Sequence, residues 1–119
     1  MITLSNFLVS EIFIDGVLDE EEWSSAKLID DLVVVQPNTL KKSKYKTEVL
    51  YFANEKGIYF GFKNFKPPER QTPIQHKRDA WMADGDRNFI IIDFVGNGNN
   101  GFSFGTSLGD SVGDGTVSN

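Results

Sequence analysis

The chain has 119 residues, which is long enough for one domain that buries a hydrophobic core without disulfides or a structural metal. Its net charge of −5 argues against nucleic acid and anionic membrane surfaces as partners, because both attract basic proteins. The absence of cysteine excludes disulfides and thiol chemistry, and the single histidine excludes a metal site built on several histidines.

The first elements in the chain are short. The apolar run Ser10–Ile14 predicts a strand, and Asp15-Gly16 predicts a turn because glycine adopts positive φ at little cost. Asp19 with Glu22 three residues later resembles a capping box, which predicts a helix of one or two turns. We expect Trp23 to lie on the buried face of this helix and to be structural.

Strand patterns dominate the middle of the chain. The β-branched run Leu32–Gln36 predicts one strand, and Lys44–Phe52 predicts another that enters the middle of a sheet. Asn54–Gly57 has the length and the final glycine of a hairpin turn. Ile58–Phe65 is therefore expected to pair antiparallel with the strand before the turn.

The last third begins with a long loop. Glu69–Asp86 has no sustained period, and loops of this length inside a domain are often functional. Asn88–Val95 is the clearest strand, Gly96–Gly101 is a turn cluster, and Gly101–Ser107 alternates as a strand. Leu108–Asn119 is rich in Gly, Ser and Asp, which predicts a terminal loop or a frayed edge.

These elements predict an all-β fold, because no helical patterns alternate with the strands. We expect an antiparallel β-sandwich of the jelly-roll type with one short N-terminal helix, formed by residues 1–119 as a single domain. No nucleotide-binding loop, zinc motif or nucleophile signature is present, so we expect no catalytic activity.

Three blocks of sequence, in this order, resemble the family 9 carbohydrate-binding modules. They are Ile14–Glu20 followed by Trp23, Glu48–Tyr51 followed by Gly57–Gly61, and Trp81 followed by Asp84, Asp86 and Phe89–Asp93. The resemblance implies a β-sandwich that binds the ends of oligosaccharides or polysaccharides between aromatic side chains, with structural calcium. The family's domain is longer, so the resemblance implies either a fragment truncated at its C-terminal end or a shortened variant of the domain.

The chain is also similar to the variant of this module found at the N-terminus of large bacterial envelope proteins. That likeness implies a periplasmic, cell-surface or secreted location and attachment to an outer-membrane protein.

Trp81 matches one stacking tryptophan of the family, and its place in the irregular loop suits a ring that stacks on a sugar. The structural alternative is that Trp81 closes one end of the core. Arg78 donates hydrogen bonds in a fixed fork that suits paired hydroxyls, and Asp84 and Asp86 are further candidate sugar contacts. Solvated surface charge is the alternative for Arg78.

Oxygen donors are dense around the same loop, and calcium takes six to eight oxygen ligands. Asp84 and Asp86 are candidate calcium ligands, and Asp79 and Asp93 could complete the site. The alternative is a set of turns in which aspartate side chains accept hydrogen bonds from the backbone.

Two departures from the family favour a second function. The family's acidic sugar contact aligns with Phe89, and a polar contact on the next strand falls near Gly105, which has no side chain. The alternative is therefore a structural or protein-interaction domain of a larger bacterial cell-envelope protein. Four lysines, Lys41, Lys42, Lys44 and Lys46, are expected to guard an edge strand or to form a small anion patch.

Overall fold

The computed structural model describes residues 11–80 and 84–119, and its regular structure is almost entirely β. Within these residues, six strands form two three-stranded antiparallel sheets. The strands are β1 (Lys27–Ile29), β2 (Thr47–Asn54), β3 (Gly57–Asn64), β4 (Arg87–Ile92), β5 (Asn100–Ser107) and β6 (Val112–Ser118). No helix in the described part of the chain has the length and hydropathy to cross a bilayer.

The chain divides into two compact units, Met1–Phe65 and Lys66–Asn119, and each contains one sheet. We call them the N-terminal unit and the C-terminal unit. The prediction of an all-β fold with antiparallel sheets is confirmed. The β-sandwich and the single truncated domain stay predictions.

The N-terminal sheet has the order β1-β2-β3, and its centre is the predicted hairpin. The turn forms at Asn54 because its side-chain Oδ1 accepts hydrogen bonds from the backbone N–H groups of Lys56 and Gly57, at 2.8 and 3.2 Å. This local turn fixes the register of β2 on β3 over all eight residues of each strand, from Thr47 opposite Asn64 to Asn54 opposite Gly57.

Trp23 packs on one face of this sheet and is only 8% exposed. Its ring meets Phe52 of β2 edge to face, with 4.8 Å between ring centroids. Gly61 of β3 allows this approach, since a Cβ there would lie 2.7 Å from Leu18 Cδ1 and 3.0 Å from Trp23 Cζ3. The indole N–H donates to Glu20 Oε2 at 2.9 Å, so its polar atom is satisfied. Trp23 is structural, as expected.

The predicted N-terminal helix is wrong: residues Glu21–Ser25 form only a 3₁₀ turn. The hydroxyl groups of Ser24 and Ser25 donate to the carbonyl oxygens of Glu21 and Glu22, at 2.6 and 3.3 Å. Such local bonds compete with α-helical ones. The acid at the start is Glu20 rather than Asp19, and its carboxylate also accepts from the backbone N–H of Phe13 at 2.8 Å. The hydrogen bond from Phe13, together with that from the Trp23 indole, lowers the pKa of the Glu20 carboxyl group.

Two predicted strands in this unit are also wrong. Residues 11–14 of Ser10–Ile14 contain no strand, and residue 10 lies outside the described residues. Leu32–Gln36 makes only an isolated antiparallel bridge, between Val33 and Lys42. The strand beside β2 is instead Lys27–Ile29, which is only three residues long and has no alternating pattern to reveal it.

The C-terminal sheet has the order β4-β5-β6. β4 and β5 confirm the strands predicted at Asn88–Val95 and Gly101–Ser107. The prediction of a loop over Leu108–Asn119 is wrong, because Val112–Ser118 is β6 and pairs with β5 along its full length. Two glycines lower the intrinsic strand preference of β6, but the backbone hydrogen bonds to β5 outweigh this unfavourable effect.

Removing the indole should destabilise the N-terminal unit. We expect Trp23→Ala to lower the free energy of unfolding by about 3 kcal/mol, because it empties a buried site. Trp23→Phe keeps an aromatic ring and loses the bond to Glu20, so it should cost about 1 kcal/mol. Urea unfolding followed by circular dichroism measures both.

Phe65→Ala is the matched control, because Phe65 belongs to the same unit and is 54% exposed. It should change stability by less than about 0.5 kcal/mol. A loss for Phe65→Ala as large as that for Trp23→Ala would contradict the assignment of the core to Trp23.

Candidate functional site

The C-terminal sheet presents an aromatic face. Side chains alternate along β5, so Phe102 and Phe104 lie on one face, and both remain exposed, at 47% and 42%. Their neighbours in register on the adjacent strands are Ile92 and Thr116 for Phe102, and Ile90 and Asp114 for Phe104. Two accessible rings therefore stand on the central strand of a hydrogen-bonded sheet, where the backbone holds them in place.

A third ring extends this aromatic face. Phe94 follows β4, is exposed, and lies 5.8 Å from Phe102 between ring centroids, with a tilt of 54° between the ring planes. The turn after β4 is held by Asp93, whose carboxylate accepts hydrogen bonds from the backbone N–H groups of Val95, Gly96 and Gly98 at 2.7–3.0 Å. These bonds lower the pKa of Asp93.

An exposed charged pair borders the aromatic face. Arg78 Nη2 donates to Oδ1 of Asp114, the residue in register with Phe104. Arg78 Nε also lies 3.6 Å from Asp79 Oδ2. The pair therefore places guanidinium donors and carboxylate acceptors at the edge of the exposed rings, which is the combination that sugar hydroxyls require.

The backbone of the long loop fixes Arg78 against β6. The N–H of Asp79 donates to the carbonyl oxygen of Val112 at 3.1 Å, and the N–H of Asp114 donates to Asp79 Oδ1 at 2.9 Å. Asp79 adopts a positive φ of 64°, which few residues other than glycine adopt. These two bonds hold Asp79 in that conformation and satisfy backbone groups on the outer edge of β6.

Asp86 ties the start of the loop to its end. Its carboxylate accepts from Lys66 Nζ at 2.6 Å and from the backbone N–H of Thr72 at 2.8 Å. Its backbone N–H donates to the carbonyl oxygen of Thr72 at 3.0 Å, and its own carbonyl oxygen accepts from the N–H of Leu108 at 2.8 Å. The ammonium group of Lys66, followed by the Thr72 amide, lowers the pKa of Asp86 despite partial burial.

The middle of the loop is held by Ser111. The N–H of His76 donates to Ser111 Oγ at 2.6 Å, and Ser111 Oγ donates to the His76 carbonyl oxygen at 2.8 Å. Gly109 makes room for this contact, since a Cβ there would lie 2.5 Å from the carbonyl carbon of Ile74. The loop is thus attached to the turn between β5 and β6 as well as to the edge of β6.

The residues that the sequence predicted for the site lie at different places in the C-terminal unit. Trp81 lies outside the described residues. Arg78 is at the border of the aromatic face, as described above. Asp84 is exposed, and its backbone carbonyl oxygen contacts His76 Nε2. Asp86 and Asp93 use their carboxylates to hold the loop and the turn after β4.

Calcium binding by Asp79, Asp84, Asp86 and Asp93 stays a prediction. Within residues 11–80 and 84–119, no three His, Asp or Glu side chains are grouped closely enough to hold a metal ion. Three of the four predicted ligands already accept hydrogen bonds from backbone N–H groups. Of these three, Asp93 matches the turn-forming alternative, because its donors follow it within five residues, whereas the donors to Asp79 and Asp86 are 35 and 14 residues away in the chain.

A small recess lies where the loop meets the turn between β5 and β6. Its lining includes His76, Lys77, Arg87 and Ser111, and its volume is about 30 Å³. That volume holds about one or two water molecules, so a sugar ring does not fit inside it. The open aromatic face is therefore the larger candidate surface for a sugar.

Sequence reasoning missed Phe102, Phe104 and Asp114. The alternation in residues 101–107 was sufficient to place the two phenylalanines on one face. Asp114 gave no signal, because it lies in the segment predicted to be a loop and its role depends on Arg78, which is 36 residues earlier.

Comparisons of the chain with models of known protein families, with curated proteins and with solved structures found no match. The resemblance to the family 9 carbohydrate-binding modules therefore stays a prediction.

Neutralising Asp86 should weaken the C-terminal unit in a pH-dependent way. The folded state lowers the pKa of Asp86, so its stabilisation is full above the usual aspartate pKa of about 3.9 and is lost as the pH falls through the lowered value. We expect Asp86→Asn to cost about 1 kcal/mol at neutral pH, because solvent partly screens the ion pair.

Thermal unfolding from pH 7 down to acid measures this effect. The melting temperatures of the wild type and Asp86→Asn should converge as Asp86 of the wild type becomes protonated. Glu69→Gln is the control, because Glu69 is an exposed carboxylate in the same unit. A difference between the wild type and Asp86→Asn that is independent of pH would show that the ion pair with Lys66 is not its cause.

Proposed function

We propose that this chain is a non-catalytic carbohydrate-binding domain, and that a sugar ring stacks on the face formed by Phe94, Phe102 and Phe104. The single observation that carries the proposal is the exposed pair of rings on β5 beside the Arg78–Asp114 pair. The apolar face of a sugar ring covers the aromatic surface, while its hydroxyls exchange hydrogen bonds with the guanidinium and the carboxylate.

The arrangement favours modest affinity. The rings stand on the sheet, and the hydrogen bonds of Asp79 hold the backbone beside Arg78, so ordering these groups on binding costs little. The face is open to solvent, however, and the charged pair is exposed, so each hydrogen bond to the sugar replaces one to water. Such a surface suits the ends or short stretches of a polysaccharide.

Trp81 is a further proposed sugar contact, and its sequence position is the reason. It is three residues after Arg78 in the same loop and matches a stacking position of the family 9 modules. Three further parts of the proposal rest on this resemblance. They are the β-sandwich arrangement, structural calcium, and a location in the periplasm, at the cell surface or outside the cell.

The second candidate function is a structural or protein-interaction domain of a larger cell-envelope protein. The large number of exposed apolar side chains favours it, since the described residues bury only two large hydrophobic side chains, Trp23 and Val49, below one-tenth exposure. Gly105 also offers no side chain at a position where the family makes a polar sugar contact.

Removing a ring from β5 should weaken sugar binding and preserve the fold. We expect Phe104→Ala to reduce affinity roughly tenfold, because an aromatic stacking contact is worth about 0.5–1.5 kcal/mol. Calorimetric titration against a panel of oligosaccharides, with and without calcium, measures it. Phe65→Ala, which removes an exposed ring from the other unit, should bind like the wild type. Equal affinity for Phe104→Ala and the wild type would contradict the site, and no binding by the wild type would contradict the function.

Trp81→Ala tests the sugar-stacking role that the sequence predicts for Trp81. If Trp81 stacks on the sugar, this variant should lose binding while its melting temperature stays close to that of the wild type. The same calorimetric titration and a thermal unfolding curve measure the two quantities. A lower melting temperature with unchanged affinity would assign Trp81 to the core instead.

A further inference from the structure

Two exposed segments of the N-terminal unit carry opposite charge. We call residues 32–46 the basic segment and residues 13–21 the acidic segment. The basic segment folds back on itself, because the N–H of Val34 donates to the carbonyl oxygen of Lys41 at 2.8 Å and the N–H of Leu40 donates to that of Val34 at 3.0 Å. These bonds give the segment a defined hairpin-like shape.

The basic segment combines uncovered apolar side chains with lysines. Val35 is 70% exposed and Leu40 is 63% exposed, and Leu32 and Val33 are also exposed. Lys41, Lys42 and Lys44 are exposed beside them. Lys46 is already paired with Glu48, whose Oε1 lies 2.7 Å from its Nζ, and this pair raises the pKa of Lys46 and lowers that of Glu48. A groove runs along this segment, and its lining includes Leu32–Gln36, Lys42, Tyr45 and Lys46, with the acidic side chain of Asp30 just before the segment.

The acidic segment has the complementary composition. Ile14 is 85% exposed, and Phe13 and Val17 are exposed beside it. The exposed acids of the segment are Asp15, Asp19 and Glu21. Glu20 holds the segment in place, because its carboxylate accepts hydrogen bonds from Phe13 and from the buried Trp23.

The two segments do not cover each other within one copy, since the apolar side chains of both are exposed there. We propose that the basic segment of one copy binds the acidic segment of a second copy. Opposite charges then meet around two apolar patches that are removed from water together. Because the two surfaces differ, the contact is head-to-tail, and it extends to rings or longer chains of copies.

The composition of the acidic segment favours a second copy over a membrane. A net charge of −5 opposes the approach of an anionic lipid surface and of a second copy alike, but the copy offers acidic side chains beside exposed apolar ones at defined places. An acidic partner of another kind would satisfy the lysines without using the acidic segment. The experiment therefore has to show that both segments are needed.

Charge reversal in each segment separates these possibilities. Sedimentation velocity of the wild type at low ionic strength should show an average mass that rises with concentration to at least twice the single-chain mass of 13.3 kDa, and that falls when salt screens the charges. The double variants Lys41→Glu/Lys42→Glu and Asp19→Lys/Glu21→Lys should each remain at the single-chain mass. An equal mixture of the two should reach at least twice that mass, because the acidic segment of the first variant and the basic segment of the second are unaltered and still fit each other.

The control is Lys27→Glu/Lys56→Glu, which makes the same change in net charge as Lys41→Glu/Lys42→Glu at exposed positions outside both segments and should associate like the wild type. Restored pairing in the mixture also shows that both reversed variants are folded. A wild type that stays single at every concentration would overturn the proposal. So would a mixture that does not pair, a control that loses association, or binding of the wild type to acidic peptides or anionic vesicles without self-association.

Discussion

The contact between Asp79 and the outer edge of β6 is the constraint on which the candidate site depends. An edge strand exposes backbone groups that need partners, and the loop supplies them through the N–H and the carboxylate of one residue. That contact sets the position of Arg78, whose guanidinium then meets Asp114 beside Phe104. Without it, the aromatic face would remain but would have no fixed polar border.

The parts of the fold that were predictable are those fixed by neighbours in sequence. Asn54 and Gly57 form their turn locally, and the alternation of β5 determines its two faces. The failed prediction over Leu108–Asn119 has a different cause, because distant partners decide the outcome there. β6 is a strand because β5 and Asp79 satisfy its backbone, although its glycines disfavour that state. The short helix fails because serine hydroxyls occupy its carbonyl groups.

The candidate site also contains residues that a local pattern predicts and residues that distant contacts position. The phenylalanines of β5 could be placed on one face from period two alone, whereas the pair of Arg78 with Asp114 joins residues far apart in the chain. Of the carboxylates that suggested calcium, Asp93 holds a local turn through backbone N–H groups, and Asp79 and Asp86 accept from backbone N–H groups 35 and 14 residues away in the chain. A dense set of aspartates in a glycine-rich sequence is equally typical of turns and of metal sites, so composition alone could not separate them.

The most direct test of the account is the response of the phenylalanine rings to sugar. Protein labelled with ¹³C in its phenylalanine rings, titrated with the oligosaccharide panel and followed by ¹H–¹³C correlation spectra, reports each ring separately. If sugar stacks on the aromatic face, the signals of Phe102 and Phe104 shift in proportion to occupancy, while that of Phe52, which packs on Trp23 in the other unit, stays in place. Rings on β5 that do not respond to a sugar shown by calorimetry to bind would contradict the account.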